Sequence, residues 1–429
     1  MYPKIRLLKA IVCLLLSSCT FFSQGQDLAA DNPFMYYEQA MQAYAAKNYS
    51  LYAENLSKVV DPQSKQPALL YQLAGAYTLT GKHKEASTIL NKLAAMGLAY
   101  PISTDPDFES FRKSALFAQA KKAFDKNVFS KYSSTQAFVI SEKDLVLEGI
   151  TYDAQQEQWF VGSIYKRKII RLDAQGKASD FTTEGQEGLL GVLGMKVDVA
   201  NRVLWVCNAA LGGDTSGNSA IFKYDLTNQK LLKKYLLPGG QQKQLLNDLV
   251  ILKNGDVYAT NSEAGAVYKI PKATDQLEIF IKPGIFIYPN GIALSPDGSK
   301  LYIAHFAGIS VADLSKGTSA EMTHPENTTI AGIDGLSVYD NSLIGVQNGV
   351  MPQRIIQMHL NPTYNGLTKV DVLEANHPLF EKIPTTGVVV GNAFYFIANS
   401  QLRSMDEQGN ILPLDQLQET VILKLTLKK

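Results

Sequence analysis

Four polar residues, each standing at the head of an apolar β-type run, carry the side chains best suited to chemistry. They are Glu148 in LEGITYD, Asn247 in LLNDLVI, Asn290 in YPNGIAL and Asp334 in IDGLSVY. Two carboxylates and two side-chain amides offer several hard oxygens, which suit Ca2+ or Mg2+ better than the nitrogen and sulfur that Zn2+ favours. Ca2+ leads as the expected cofactor, with Mg2+ and Zn2+ the other candidates. A second class closes the next run in each unit: Ser163, Asn208, Asn261, His305, Asn348 and Asn399. Asn208, Asn261, Asn348 and Asn399 are expected to stand behind the first class and orient it. Turn formation alone accounts for any one Asn or Asp. It accounts less well for Glu148 and Asp334 heading two units at equivalent places.

Other constellations are weak. The glycines around Gly212–Asp214 lie between two strand-type runs, not at a helix start, so they make no phosphate cradle. The chain has no G-x-S-x-G and no H-E-x-x-H. Cys207 ends an apolar run and reads as a buried thiol. His83 reads as a solvated turn residue, and His324, His359 and His377 as solvated or capping residues.

The elements that must position these residues repeat. EQWFVGS, RVLWVCN, GDVYATN, SKLYIAH, NSLIGVQN and NAFYFIAN are one strand in six copies, and their last residues fall 45, 53, 44, 43 and 51 apart. That spacing is the length of a four-stranded propeller blade. The fold class expected is mainly β, a six-bladed β-propeller over 145–429. Residues 288–305 read as the first hairpin of blade 4, turning at Pro296-Asp297-Gly298. In a propeller, residues ahead of inner strands and residues closing second strands converge on one axial pocket. The last run, VILKLTLKK, is expected to pair with the first blade and close the ring.

Ahead of the propeller, residues 32–127 show apolar positions at helical spacing and repeat at 34 residues, with Leu70, Ala74, Gly81, Ala86 and Leu90 in the clearer copy. This resembles the tetratricopeptide repeat, a small α-helical module that braces a neighbouring domain or holds a protein partner. Residues 105–126 read as capping helices, and 128–144 as a linker. At the start, Lys4, Arg6 and Lys9 precede a short apolar run, as in a secretory leader spanning 1–26. Leu16-Ser17-Ser18-Cys19 also resembles a lipobox with Cys19 as the lipidation site. Export to the periplasm or cell envelope is expected, with a lipid anchor at Cys19 as the sole membrane attachment.

The 429 residues carry 41 basic and 40 acidic side chains, a net charge of +1, with no basic stripe. Nucleic-acid binding is therefore not expected.

EGITYD, NDLVILKNGDVYATN, PNGIALSPDGSKLYIAH and DGLSVYDNSL resemble, in this order, the senescence-marker-protein (regucalcin)/gluconolactonase family. The resemblance spans about 145–399. It implies a divalent metal held by Glu148, Asn247, Asn290 and Asp334, with Asp334 as general base in opening a lactone or ester. His305 would shuttle a proton or touch substrate, although the family residue there is usually acidic or hydroxylic. Sugar lactonases of the family often carry Arg two residues before Asn247; Leu245 stands there, which points to a more apolar lactone or ester. The alternative is a non-catalytic propeller and helical-repeat scaffold in the envelope.

Overall fold

The computed structural model describes residues 33–239 and 242–428. The leader at 1–26, with Cys19, lies outside them. The chain divides into two compact units. The first runs to Phe129 and takes in His324–Ala331 and Val350–Pro352; the second comprises Ser130–Thr323, Gly332–Gly349 and Gln353–Lys429.

In the first unit, α1 (Pro33–Ala45) and α2 (Tyr49–Val59) form one antiparallel pair, and α3 (Pro67–Leu79) and α4 (His83–Ala95) the next. Asn48 caps α2 by accepting from Leu51 N at 3.2 Å, and Pro67 opens α3, where its missing N–H costs nothing. Ala74 and Ala86 are fully buried, as the repeat predicted for positions of close helix approach. Gly81 turns the chain between α3 and α4 at φ +75°, a conformation that suits glycine. His83 is the first residue of α4 rather than a solvated turn residue; its ring packs 5.1 Å from Phe111. The cap is a 3-10 helix, Pro106–Phe111, followed by α5 (Ala115–Asp125). Among the described residues no helix is long and apolar enough to cross a membrane.

The second unit is a six-bladed propeller of four-stranded antiparallel sheets. The first strands are Leu147–Asp153, Gly191–Asp198, Leu246–Ile251, Ile292–Leu294, Leu336–Tyr339 and Gly387–Val390. Each packs against the first strand of the next blade, and the sixth returns to the first, so these strands line the axis. The six repeated segments all fall on second strands, from Gln158–Ser163 to Ala393–Ile397. Second strands lie between blades and are apolar on both faces; Val203–Ala209 is buried throughout. Outer strands meet solvent on one side, and Leu231–Leu237 alternates accordingly. In blade 4, Ile292 pairs with Ile303 and Leu294 with Leu301, the hairpin expected over 288–305.

Closure differs from the expectation. Thr420–Thr426, which takes in the first six residues of VILKLTLKK, is the third strand of blade 6, not a partner of blade 1. The fourth strand of blade 6 is Thr135–Ile140, drawn from the stretch read as a linker. Its lead-in is held by Glu374, whose buried carboxylate accepts from Ser133 N (3.0 Å), Ser134 N (2.6 Å) and Ser134 Oγ (2.9 Å). The physical reason is that the C-terminal segment supplies only three strands to blade 6, and a strand from before blade 1 covers the edge left open.

Candidate functional site

All six first strands begin, and all six second strands end, at one face of the ring. The entry residues are brought together by close backbone approach. A Cβ on Gly149 would lie 2.0 Å from Leu193 O, and one on Gly291 2.5 Å from Asp334 O. Only glycine permits such contact between neighbouring blades. Gly194 and Gly335 repeat the arrangement, so Glu148, Leu193, Asn247, Asn290, Asp334 and Thr385 stand at equivalent positions around the axis. Backbone bonds keep the register: Gly291 N donates to Asp334 O at 3.0 Å and Gly335 N to Thr385 O at 3.2 Å.

Within this ring the four expected residues come together unequally. Asp334 is 8% exposed. It accepts from Asn290 Nδ2 on Oδ1 and from Asn348 Nδ2 on Oδ2, each at 2.6 Å. Asn348 also donates to Pro384 O at 2.9 Å, which fixes its amide. Asn247 donates from Nδ2 to Ser262 Oγ at 2.9 Å, and Ser262 donates in turn to Pro289 O at 2.6 Å. Each Asn thus spends its NH2 as a donor, and among the described residues nothing donates to Asn247 Oδ1 or Asn290 Oδ1. Glu148 is 6% exposed, and its Oε2 is buried without a hydrogen-bond partner.

The electrostatics follow from that arrangement. Burial pushes the Glu148 carboxyl well above its usual range, with the charges of Asp334 and then Asp248 adding to it. Burial raises Asp334 to about 7, against the pull of the Asn348 and Asn290 amides, and Asp248 adds to the rise. A buried charge without donors is unstable until something cationic offsets it. The oxygens without a donor are Glu148 Oε2 and the Oδ1 atoms of Asn247 and Asn290, beside an Asp334 carboxylate held on both oxygens by amides. Among the described residues no three His, Cys, Asp or Glu side chains gather. An oxygen-ligated divalent cation fits this donor set.

Asp248 is a participant that the sequence reading missed. It fills in blade 3 the place that glycine holds in blades 1, 2, 4 and 5, is 5% exposed, and pairs with Lys196 Nζ at 3.0 Å. The signal was available: Glu-Gly, Leu-Gly, Asn-Gly and Asp-Gly recur at the entries, and Asn247-Asp248 breaks the pattern with an acid.

The second class behaves differently. Ser163 Oγ donates to Leu145 O. Asn208 Oδ1 accepts from Leu190 N at 3.4 Å, and Asn261 Oδ1 from Leu245 N at 3.1 Å. These residues brace the entry loops of their own blades. Asn399 accepts from Val421 N at 2.7 Å and holds the third strand of blade 6. Of the four expected orienting asparagines, Asn348 alone bonds to one of the four ring residues. His305 ends the second strand of blade 4 and is bonded across the turn that follows: Nδ1 accepts from Ala307 N at 3.2 Å, so Nε2 donates to Ser310 Oγ at 2.9 Å. Burial lowers its pKa to about 4, leaving the ring neutral at pH 7. Cys207 is fully buried, and burial raises its thiol well above the usual range. His377 caps the 3-10 helix Pro378–Lys382, as a capping residue should.

The family model for the SMP-30/Gluconolactonase/LRE-like region matches residues 146–340. The propeller is SMP-30/gluconolactonase-like. The match spans Glu148, Asn247, Asn290 and Asp334 and leaves out the helical unit, all of blade 5 after its first strand, and the strands Gly387–Val390, Ala393–Ile397 and Thr420–Thr426 of blade 6. Among curated proteins none matches. The SMP-30-like propeller is similar to a gluconolactonase from Xanthomonas campestris at 14% identity, covering 68% of this chain and 89% of that one, with a TM-score of 0.47. It is similar also to virginiamycin B lyase from Staphylococcus aureus, at 14% identity over 69% of this chain and all of that one, TM-score 0.46.

One side of the SMP-30-like ring is walled by apolar groups. Val146, Leu193 and Leu245, all buried, share a cluster with Ile164 and Trp205, against which Leu211, Met405 and Ile411 pack. Met405 and Ile411 pair across a small hairpin in the long loop of blade 6. Its tip meets the blade 2 loop so closely that a Cβ on Gly409 would lie 1.9 Å from Gly212 O. A separate cavity of about 300 Å3, lined by Val197, Asp198, Ile251 and Lys272 among others, lies at the other ends of the blade 2 and 3 inner strands.

Proposed function

We propose that the propeller is a divalent-cation-dependent hydrolase that opens a lactone or ester with an apolar acyl portion. The observation that carries this reading is the unpartnered, buried Glu148 Oε2 beside Asp334 and two unmet amide oxygens. The family match over the same residues supports it. A cation held by Glu148, Asn247, Asn290 and Asp334, with Ca2+ favoured by the oxygen donors, would act as a Lewis acid on the acyl oxygen.

The chain's own residues supply the rest. Asn290 and Asn348 each hold one oxygen of Asp334, so the carboxylate cannot rotate away from the ring. A carboxyl near 7 in the ion-free ring is matched to accept a proton from water at neutral pH. As the water oxygen bonds to the acyl carbon, Asp334 takes the proton. As the acyl–oxygen bond breaks, that proton passes to the leaving alkoxide, giving an acid and an alcohol. The wall of Val146, Leu193, Leu245, Met405 and Ile411 excludes water on one side and selects an apolar acyl group. Leu245 offers no charge to a sugar hydroxyl.

The test is metal analysis of the purified chain with a lactone and aryl-ester panel. Wild type should bind a divalent ion and turn over apolar members. Asp334→Ala should lose at least about a hundredfold in kcat/KM, the lower bound for an acid–base group. Undiminished hydrolysis in that variant removes Asp334 as base, and a chain that binds no divalent ion sinks the site. A protein that binds the ion but turns over nothing is the scaffold reading, with the helical repeats as the partner-binding module. We infer export from the leader, with Cys19 as the anchor; labelling with a fatty-acid analogue that persists in Cys19→Ala would overturn the anchor.

A further inference from the structure

At the face opposite the ring, blades 1 and 2 are clamped by one ion pair. Asp153 closes the first strand of blade 1 and is buried. It accepts from Arg202 Nη1 on Oδ1 and from Arg202 Nη2 on Oδ2, both at 2.7 Å, while Gln155 N donates to Oδ1 at 3.1 Å. Arg202 stands in the turn ahead of the second strand of blade 2, so its forked guanidinium reaches back across the blade boundary. Strand register shows which residues hold the same places one blade further on. Asp153 pairs with Gln158 and Asp198 with Val203, so Asp198 is the blade 2 counterpart of Asp153. Ile251 pairs with Val257 as Val197 does with Leu204, which makes Gly255 the blade 3 counterpart of Arg202.

Between blades 2 and 3, therefore, the acid is kept and glycine replaces the arginine. The cavity of about 300 Å3 described above is lined by both Asp198 and Gly255, and its size is at the lower end of the range for ligand pockets, about 300–1,000 Å3. The Asp198 carboxylate accepts from its own turn, from Asn201 N at 3.0 Å on Oδ1 and from Asn201 Nδ2 at 2.7 Å on Oδ2, and among the described residues no cation pairs with it. Asp153 shows that a carboxylate holding a turn N–H at this place still takes a guanidinium. The rest of the lining is of another character. Lys253 and Lys272 border the cavity, and among the described residues neither ammonium has a partner. A Cβ on Gly255 would lie 2.7 Å from Lys272 Cδ, so the Lys272 stem runs over the place that Gly255 leaves open. Val197 and Ile251 add an apolar wall.

We propose that this cavity is a binding site for a small molecule carrying both a guanidinium and a carboxylate, such as free arginine. The guanidinium forks onto Asp198 as Arg202 does onto Asp153, and Lys253 and Lys272 meet the carboxylate. The methylene chain lies along Val197 and Ile251. A ligand with a cation alone would face two lysines, and one with an anion alone would face Asp198, so a ligand of both signs satisfies the whole lining. The site lies at the far end of the inner strands from Glu148 and Asp334 and stands independently of the hydrolase reading.

Calorimetry on the purified chain tests it, with millimolar arginine and with agmatine, the analogue that lacks the carboxylate. Wild type should bind arginine, and agmatine at least about tenfold more weakly, the loss expected when hydrogen bonds between charged groups are removed. Asp198→Asn keeps an oxygen for Asn201 N and should weaken both ligands by at least about tenfold. Lys272→Gln should weaken arginine and leave agmatine unchanged, a split that a merely loosened turn would not produce. Gly255→Arg supplies in blade 3 the side chain that Arg202 supplies in blade 2 and should abolish binding. Where the backbone φ of +92° at that position keeps this variant from folding, Asp198→Asn decides. A wild type that takes up no arginine, or an affinity that survives Asp198→Asn, overturns the site. Agmatine bound as tightly as arginine overturns the carboxylate half of the ligand.

Discussion

Two rings of polar side chains face the same end of this propeller and are bonded in opposite ways. In the ring at the second-strand ends, Ser163, Asn208, Asn261, His305 and Asn399 spend their polar atoms on their own loops and strands. In the ring at the strand entries, among the described residues, Glu148 Oε2 is buried without a donor, and Asn247 and Asn290 bond through Nδ2 and leave Oδ1 unmet. Residue type does not separate them, since both are rich in asparagine. Satisfaction does. A buried polar atom already bonded contributes to stability, and one held in place but unpaired costs stability until a ligand meets it. Asn348 is the exception, closing a second strand yet donating to Asp334, and so links the two rings.

The contrast can be tested by moving charge or donors in one ring at a time. The largest effect is expected from Glu148→Gln. Divalent-ion affinity measured by calorimetry should fall by at least about a hundredfold, the upper end of what outer partners alone contribute. The ion-free protein should melt at a higher temperature toward high pH, where the wild-type carboxyl must ionise in the buried ring and Gln need not. A lower Tm in that variant would mean that Glu148 is a structural acid.

Next is the pH dependence of the ion-free protein. Asp334 is raised from 3.8 to about 7 on folding, so the folded state favours its protonated form. Its contribution to stability is therefore complete below about pH 4 and lost as pH rises through about 7. Wild-type Tm should fall between about pH 4 and pH 7, and Asp334→Asn should flatten that fall. Parallel curves for the two proteins would show that Asp334 does not carry the effect.

Smaller is Asn261→Ala, which strips the acceptor from Leu245 N and Ala264 N. It should cost about 1–3 kcal/mol in denaturant unfolding with ion affinity unchanged. Asn348→Ala should instead weaken ion binding, and equal behaviour of the two would erase the distinction between the rings. The smallest effect is expected from His305→Gln. Its imidazole is neutral at pH 7 and bonded through both nitrogens, so the pH profile of hydrolysis should not move. A shifted profile would return His305 to the chemistry.

Much of this architecture is legible in the chain because it is local and repeated. The six second strands each end on a polar residue at blade spacing, and the 34-residue helical repeat places Ala74 and Ala86 at close contacts. Glu148, Asn247, Asn290 and Asp334 could be picked out because they head those runs. Ring closure was not legible. Thr135–Ile140 is a short strand in a Ser- and Thr-rich segment, and its partner, Thr420–Thr426, lies at the other end of the chain. Asp248 was hidden for another reason: an Asp after an Asn is ordinary turn chemistry until its surroundings are known.

By itself the amino-acid sequence determined the blade count, the helical repeat and which side chains stand at the strand entries, because periodicity and turn residues act over a few neighbours. The tertiary structure alone decided which of those side chains are left unbonded, how blade 6 is completed, and that Asp248 stands in the ring with Glu148 and Asp334. Those outcomes depend on burial and on contacts between distant blades, and no local pattern encodes the desolvation that raises Asp334 or leaves Glu148 Oε2 without a partner.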